Sequence, residues 1–227
     1  METEILYRPS YSVAKIKLMP NERLLAEPGA MVSMSAGFQI ETGTRGGMLK
    51  SLARSIFGGE SFFTNLYRAP QQGGELLLAP ALPGDILPLE LGEAAYLVQS
   101  GSFLASSTEI ETDASWSGAR TFFGGEGLIM LRCSGKGSLI ISSYGAIHEV
   151  DLKPGQDITV DSGHLVAFPQ QMNFRVRTIG GIKTTLLSGE GFVIDLQGPG
   201  KILLQTRSER SFLDWLIPLL PKQPSNR

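Results

Sequence analysis

Few side chains in this sequence could form a covalent bond or hold a metal, and they lie far apart. The chain of 227 residues has two histidines, His148 and His164, and one cysteine, Cys133. A protein metal site brings at least three ligands together, and a nucleophile needs a base beside it. A single cysteine also excludes an internal disulfide. We therefore expect no metal site, no cofactor and no catalytic residue, and we predict that the protein is not an enzyme.

Cys133 and Lys136 lie in one glycine-containing segment that invites a functional interpretation. Cys133 follows an apolar run, which is typical of a buried and unreactive thiol. The Gly135-Lys136 step is similar to the end of a phosphate-binding loop, but the position where that loop needs its first glycine is Met130. We interpret the segment as a hairpin turn between strands that contain Leu131 and Leu139.

The amino-acid composition restricts the kinds of binding partner and the cellular location that we expect. Lys and Arg number 20 and Asp and Glu number 22, which gives a net charge of −2. The chain therefore lacks the basic surface that DNA binding requires, and RNA binding is disfavoured for the same reason. No apolar stretch approaches the roughly 20 residues of a membrane-spanning helix. The N-terminus has no secretion signal. We expect a cytoplasmic protein whose only membrane contact would be peripheral.

The elements that position these side chains are predicted from internal repetition. Residues 51–61 and 117–127 are identical at seven of eleven positions. Both segments contain a Gly-Gly-Glu block, which is Gly58, Gly59 and Glu60 in the first and Gly124, Gly125 and Glu126 in the second. Paired glycines are typical of turns. An arginine six positions before each glutamate favours a structural ion pair over acid–base chemistry, because catalytic groups are seldom duplicated.

A second set of blocks recurs three times in the same order. A turn-forming triplet is followed by a single glycine and then by a short strand-like block ending in threonine. The triplets begin at Pro20, Pro83 and Pro154, the glycines are Gly29, Gly101 and Gly163, and the blocks end at Thr42, Thr112 and Thr178. We predict three internal repeats, at residues 1–75, 76–142 and 143–207, followed by a C-terminal helix and proline-rich tail at 208–227.

The repeats are predicted to consist of β-strands. Short apolar runs such as 139–141 and 202–204 are bounded by turn residues, which favours an all-β sandwich or barrel. Two segments instead space their apolar residues as a helix does. One is 48–57, within an insertion of the first repeat near 46–57, and the other is 208–220, where Pro218 limits the helix length.

These blocks, together with the segment 137–145 and the Leu-Pro-rich C-terminus, resemble the uncharacterised family related to the yeast altered-inheritance-of-mitochondria protein. The resemblance covers nearly the whole chain. It implies three repeats of a double-stranded β-helix about a pseudo-threefold axis, similar to the units of the tryptophan RNA-binding attenuation protein. It implies a mitochondrial inner-membrane association for the eukaryotic relatives, and it supplies no catalytic residue.

The two helical segments carry the candidate surface for a protein partner, for self-association or for a membrane. Its predicted residues are Met48, Leu49, Leu52, Ile56, Phe57 and Trp215. The competing interpretation is that these helices plug the open ends of the β-structure. We favour a non-enzymatic scaffold or interaction module. The alternative is a module that binds a small molecule, or less plausibly RNA, in pockets between the repeats.

Overall fold

The structure, a computed structural model, describes residues 1–42, 55–57, 60–62, 64–113, 129–178 and 192–221, with backbone only for 42, 55–57 and 60–62. Within these ranges the chain is built almost entirely of β-strands, which confirms the predicted all-β class. The strands are β1 (Glu2–Leu6), β2 (Val13–Leu18), β3 (Arg23–Ala26), β4 (Met31–Met34), β5 (Gln39–Thr42), β6 (Ser55–Phe57), β7 (Glu60–Phe62), β8 (Asn65–Arg68), β9 (Gly74–Leu78), β10 (Ile86–Leu91), β11 (Tyr96–Gln99), β12 (Phe103–Ser107), β13 (Ile110–Asp113), β14 (Met130–Gly135), β15 (Gly137–Ser142), β16 (Ile147–Leu152), β17 (Asp157–Asp161), β18 (Leu165–Pro169), β19 (Asn173–Thr178), β20 (Phe192–Gln197) and β21 (Gly200–Gln205). The α-helix α1 (Glu209–Leu216) follows β21, and short 3-10 turns lie at Ser100–Ser102, Ser162–His164 and Ile217–Leu219.

The strands form antiparallel sheets that draw on distant parts of the chain. Two sheets have six strands each, in the orders β10-β15-β12-β3-β8-β5 and β13-β14-β11-β18-β21-β16. A four-stranded sheet has the order β1-β2-β9-β4, a three-stranded sheet has the order β17-β20-β19, and β6 pairs with β7. Each six-stranded sheet is continuous only because strands far apart in sequence pair at its centre, β12 with β3 in one and β11 with β18 in the other.

Three apolar clusters fill the space between successive sheets. The first lies between the four-stranded sheet and the sheet that contains β3, and includes Ile16, Leu24 and Leu76. The second lies between the two six-stranded sheets, and the third between the β11 sheet and the three-stranded sheet. Ile140 belongs to the first cluster while its neighbour Ile141 belongs to the second. Because successive side chains of a strand face opposite sides, both faces of the central sheets are buried.

The interpretation of the Lys136 segment as a hairpin turn is wrong. β14 ends at Gly135 and β15 begins at Gly137, but β14 pairs with β11 and β13 while β15 pairs with β10 and β12. The turn therefore carries the chain from one sheet to another. Gly135 has φ +119°, and a Cβ there would lie 2.1 Å from the Glu109 carbonyl oxygen, so only glycine fits this corner.

The helix predicted over 48–57 is wrong at its C-terminal end. Ser55–Phe57 is the strand β6, in which Phe57 lies opposite Glu60 of β7. Ile56 and Phe57 are residue types of high β propensity. Pairing with β7 also gives hydrogen-bond partners to the backbone of this segment. Gly58 and Gly59, which separate the two strands in the sequence, lie outside the described residues.

No helix in the described ranges has the length and apolar character needed to cross a membrane.

A buried carboxylate fastens the N-terminal segment to the start of β10. Asp85 Oδ1 accepts hydrogen bonds from Arg8 Nε at 2.8 Å, Ser12 Oγ at 3.1 Å and the Ile86 backbone N–H at 2.9 Å, and Oδ2 accepts one from Arg8 Nη2 at 2.8 Å. Burial alone would raise the pKa of Asp85, but these donors outweigh burial and hold that pKa below its ordinary value.

Replacing Arg8 with methionine should therefore cost about 2–3 kcal/mol of unfolding free energy at pH 7, because a buried carboxylate loses its cation. A lowered folded pKa means that the contribution is present above the ordinary pKa of Asp and is lost as the pH falls through the folded pKa. The difference between wild type and Arg8→Met should accordingly shrink towards pH 3. Urea unfolding at pH 7 and at pH 3 measures both values.

Arg177→Met is the matched control, because it also breaks an Arg–Asp pair, the one that Arg177 forms with Asp195 on an exposed sheet face. Its expected cost is less than about 1 kcal/mol. An Arg8→Met cost no larger than that of the control would contradict the role given to Asp85.

Candidate interaction surface

The C-terminal helix starts at a defined cap next to the β-structure. The Ser208 hydroxyl accepts a hydrogen bond from the Ser211 backbone N–H at 3.4 Å, and Glu209 follows in the first turn, where the helix dipole favours an acidic residue. Ser208 itself is buried, and its hydroxyl lies 2.8 Å from where a Cβ on Gly163 would be. The helix therefore begins in close contact with the Ser162–His164 turn.

Gln205, at the end of β21, holds the chain just before this helix. Its side-chain carbonyl oxygen accepts from the Tyr144 N–H at 2.9 Å, and its amide nitrogen donates to the Gly163 carbonyl at 2.8 Å. Its backbone carbonyl lies 2.7 Å from His164 Nδ1. His164 is thus part of the hydrogen-bonding that positions the helix.

Beyond its first turn the helix leaves its apolar side chains in solvent. Trp215 is 62% exposed, Ile217 59% and Leu219 66%, and no residue of α1 is buried. Phe212, Leu213 and Leu220 are also exposed. We call the set Phe212, Leu213, Trp215, Ile217, Leu219 and Leu220 the C-terminal apolar segment. Single exposed apolar residues are ordinary, but six within nine positions form a patch of the kind that marks a contact surface.

Aromatic contacts set the direction of this segment. The Phe212 ring packs edge-on against Tyr144, with ring centroids 6.1 Å apart, and Trp215 lies 6.0 Å beyond Phe212. Only the first of these contacts reaches the β-structure. The indole of Trp215 therefore stands at the outer end of an aromatic row.

Two acidic side chains face each other where the helix meets the strands. Burial, and then the Glu209 carboxylate, raise the pKa of Glu27 to about 7. Glu27 directly follows β3, and its backbone N–H donates to the Leu104 carbonyl of β12 at 2.9 Å. The Glu27 carboxylate is therefore close enough to that of Glu209, in the first turn of the helix, for the two to repel each other when both are ionised.

The residues predicted for the candidate surface, and those predicted for the structural Gly-Gly-Glu turn motif, fall into three groups. Trp215 lies in α1 and is exposed. Ile56 and Phe57 lie in β6, paired with β7, and Glu60 lies in β7. Met48, Leu49, Leu52, Gly58, Gly59, Gly124, Gly125 and Glu126 lie outside the described residues. The prediction that these parts act together stays untested.

Sequence reasoning missed an apolar patch on β4. All four residues of that strand are exposed, including Met31 and Val32, although the strand is apolar and pairs with buried residues of β9. No signal in the sequence separates it from β12, whose residues are almost all buried.

Cys133 and His148, two of the few residues able to take part in covalent or metal chemistry, lie in strands β14 and β16. Cys133 is fully buried, and burial raises its pKa to about 12, so it is a neutral thiol at physiological pH. His148 is an exposed residue of β16, opposite Leu204. Among the described residues, no three His, Cys, Asp or Glu side chains are close enough together to hold a metal ion.

Comparison with known proteins places this β-structure in a family. The model of the family described as Mitochondrial biogenesis AIM24 matches residues 3–207. This chain belongs to that family. The match ends directly before Ser208, so the helix α1 and the C-terminal apolar segment lie outside it.

Two bacterial proteins are similar to this chain over most of its length. An uncharacterised protein of Streptococcus pyogenes serotype M6 is 29% identical over 220 residues, which are 93% of this chain and 88% of that protein. The crystal structure of a Streptococcus pyogenes protein superimposes with a TM-score of 0.80 at 27% identity, and the alignment covers 96% of this chain and 99% of that one. The alignment with that crystal structure therefore spans nearly all of both chains.

Replacing Glu27 with glutamine should stabilise the protein at pH 8 and leave it unchanged at pH 5. A carboxyl whose folded pKa lies above its unfolded value binds its proton more tightly when folded, so the wild type loses stability as the pH rises from about 4.5 to 7. Glutamine carries no charge at either pH. We expect a Tm gain of roughly 2–4 °C at pH 8, measured by differential scanning calorimetry.

Glu111→Gln, at an exposed position of β13, is the control and should change Tm little at either pH. An equal Tm for Glu27→Gln and wild type at pH 8 would show that the Glu27 carboxylate is well solvated.

Proposed function

We propose that the protein is a non-enzymatic scaffold of three six-stranded β-units that attaches to a membrane surface through the C-terminal apolar segment. The single observation that carries the attachment is the exposure of six apolar side chains at 212–220 in a chain whose other apolar residues are mostly buried. The proposal has two parts, the units and the attachment, which rest on separate observations.

The three units are supported by the order of strand pairing. In the segment from β10 to β15, the first and third strands pair with the sixth, and the second and fourth pair with the fifth. The segment from β16 to β21 has the same pairings. So has the segment from β2 to β9 once the short β6–β7 hairpin is set aside.

A shared irregularity supports the same interpretation. The third strand of each unit has a bulge at one place in its pairing with the sixth strand, between Met31 and Ser33, between Phe103 and Ala105, and between Leu165 and Ala167. Bulges are local features that alter strand twist, so three at one position favour three copies of one unit. On this basis we place the first boundary after Leu78, the end of β9, rather than at residue 75.

The attachment is supported by the size and chemistry of the apolar segment. α1 has eight residues, far short of a membrane span, and ends in a proline-containing turn. Tryptophan and long aliphatic side chains are the groups that short interfacial helices insert among lipid headgroups. The exposed Arg207 precedes the segment and Lys222 follows it in the sequence, while Arg210 is ion-paired with Asp214 within the helix. The charge of Arg207 and Lys222 favours a surface that contains anionic lipid.

The alternative, a small-molecule module, has less support. A groove of about 510 Å³ lies on the three-stranded sheet and is lined by residues of β17, β19 and β20 that include Asp157, Arg175 and Gln197. These strands belong to one unit, whereas the alternative places its pockets between units. Asp195 in this groove already accepts hydrogen bonds from Thr159 and Arg177.

A vesicle experiment tests the attachment. We expect the full-length protein to sediment with phosphatidylcholine vesicles that contain phosphatidylglycerol, and less with phosphatidylcholine alone. The variant Trp215→Ser/Ile217→Ser/Leu219→Ser should lose at least about tenfold in apparent affinity, because three exposed apolar side chains no longer enter the lipid. In a Trp116→Phe background, Trp215 fluorescence should shift to the blue on addition of vesicles.

Tyr7→Ser/Tyr11→Ser is the matched control, since both tyrosines are 74% exposed but lie far from the segment in sequence. It should bind as the wild type does. Equal sedimentation of the wild type and the triple variant, or none for either, would overturn the membrane attachment and leave a protein contact as the use of this segment.

A further inference from the structure

We propose that copies of this chain assemble head to tail, with β4 of one copy hydrogen-bonded to β17 of the next. The inference rests on the three-unit interpretation above, and it is independent of the C-terminal apolar segment. It starts from a pairing that the chain makes twice internally and that the described strands of its two outer units do not make.

The two internal pairings join each unit to the next in the same way. The third strand of the second unit, β12, pairs antiparallel with the second strand of the first unit, β3, and Ala105 lies opposite Ala26. The third strand of the last unit, β18, pairs antiparallel with the second strand of the second unit, β11, and Ala167 lies opposite Val98. These two seams create the six-stranded sheets.

The remaining half-sheets are the complementary halves of a third such sheet. β4 is the third strand of the first unit, and among the described strands it pairs with β9 alone. β17 is the second strand of the last unit, and within the same ranges it pairs with β20 alone. Joined at β4 and β17, the two sheets would have the order β1-β2-β9-β4-β17-β20-β19, which is the six-stranded arrangement with β1 added.

Burial distinguishes the open strand from its equivalents. By the position of the bulge, Met31 corresponds to Phe103 and Leu165. Both of those are fully buried, whereas Met31 is 37% exposed, and the next residue, Val32, is 55% exposed. The same residue types are thus covered at the internal seams and uncovered on β4. Within the described part of the chain, the third seam is therefore left open.

The composition of β4 also favours a partner. Native edge strands are usually protected from further pairing by lysine, proline or covering structure. β4 has the sequence Met31-Val32-Ser33-Met34, with no charged residue and no proline, and all four residues are exposed. A second copy supplies the one strand that the internal seams show to fit this edge, namely the second strand of a unit.

The internal seams also fix the register of the intermolecular pairing. Ala26, Val98 and Val160 correspond, since each stands three residues before the glycine of its unit, at Gly29, Gly101 and Gly163. Ser33 corresponds in turn to Ala105 and Ala167, the residues opposite Ala26 and Val98.

Val160 should therefore lie opposite Ser33 of the second copy, and Thr159 opposite Met34. The contact joins two different surfaces, so it propagates into a ring or a filament rather than stopping at a twofold dimer.

Sedimentation velocity over a range of concentrations tests the assembly first. We expect species larger than the 24.5 kDa chain, with a mean mass that rises with concentration. Val32→Lys should return the protein to the monomer, because a lysine blocks the edge. The matched control Met19→Lys, at a position 63% exposed outside β4, should assemble as the wild type does. A wild type that is monomeric at every concentration would overturn the proposal.

Engineered cysteines test the register. Met34→Cys/Thr159→Cys should form a ladder of disulfide-linked multimers on mild oxidation, since directly opposed residues lie within the Cα separation that a disulfide needs. A mixture of the two single variants should stop at linked dimers, and each single variant alone should form none. Ser33→Cys/Thr159→Cys should link poorly, because a one-residue slip turns one side chain to the opposite face. Native Cys133 is buried and should not interfere.

Two results of this experiment would overturn the proposal. Disulfide dimers of Met34→Cys alone would indicate a twofold contact between β4 strands. A disulfide in Met34→Cys/Thr159→Cys that leaves the mass at one chain would show that the chain closes on itself. The serine variants of the C-terminal apolar segment should assemble normally, which separates a failure here from a failure of membrane attachment.

Discussion

Hydrogen bonding between strands far apart in sequence, β12 with β3 and β18 with β11, is the interaction on which the rest of the structure depends. The β12–β3 and β11–β18 pairings satisfy backbone groups that would otherwise be buried without partners. These pairings also determine which strands can carry apolar residues on both faces of their sheet. Leu139 and Ile141 of β15 pack in one cluster while Ile140 packs in another, and this is possible only because the sheet that contains β15 has a neighbour on each side. The packing of the core and the pairing of the strands therefore depend on each other.

Several polar residues of the described interior hold elements of this arrangement in place. Asp85 holds the N-terminal segment, and Gln205 and His164 hold the start of the C-terminal helix. Each of these residues forms hydrogen bonds with the backbone or with a side chain of the same fold. The cysteine is buried and neutral. Two apolar groups at the periphery of the described residues, on β4 and at 212–220, are exposed, which is why we look for function in contacts.

The sequence predicted the all-β class well because its apolar runs are short and bounded by glycine and proline. It also pointed to 208–220 as a helix, and α1 lies within that range. It failed where the outcome depends on distant residues. Ser55–Phe57 lies at the end of a helical apolar pattern, yet pairing with β7 makes it a strand. The glycines around Lys136 look like a hairpin, yet the two strands belong to different sheets. Met31-Val32 and Phe103-Leu104 are equally apolar, and among the described strands the buried pair differs in having a second neighbouring strand, β3, beside β12.

The two proposed contacts would reinforce each other. A helix of eight residues with a few inserted side chains gives weak and reversible attachment on its own. If copies join through β4 and β17, every copy carries its own C-terminal apolar segment at a spacing set by the same three-unit body. Once one segment is attached, its neighbours are held near the surface at high effective concentration. The affinity of the assembly for the surface would therefore exceed that of one copy by a factor far larger than the number of copies. A curved or closed array would further restrict which segments can reach a flat surface at once. Assembly geometry, rather than the strength of any single contact, would then determine where such a scaffold binds.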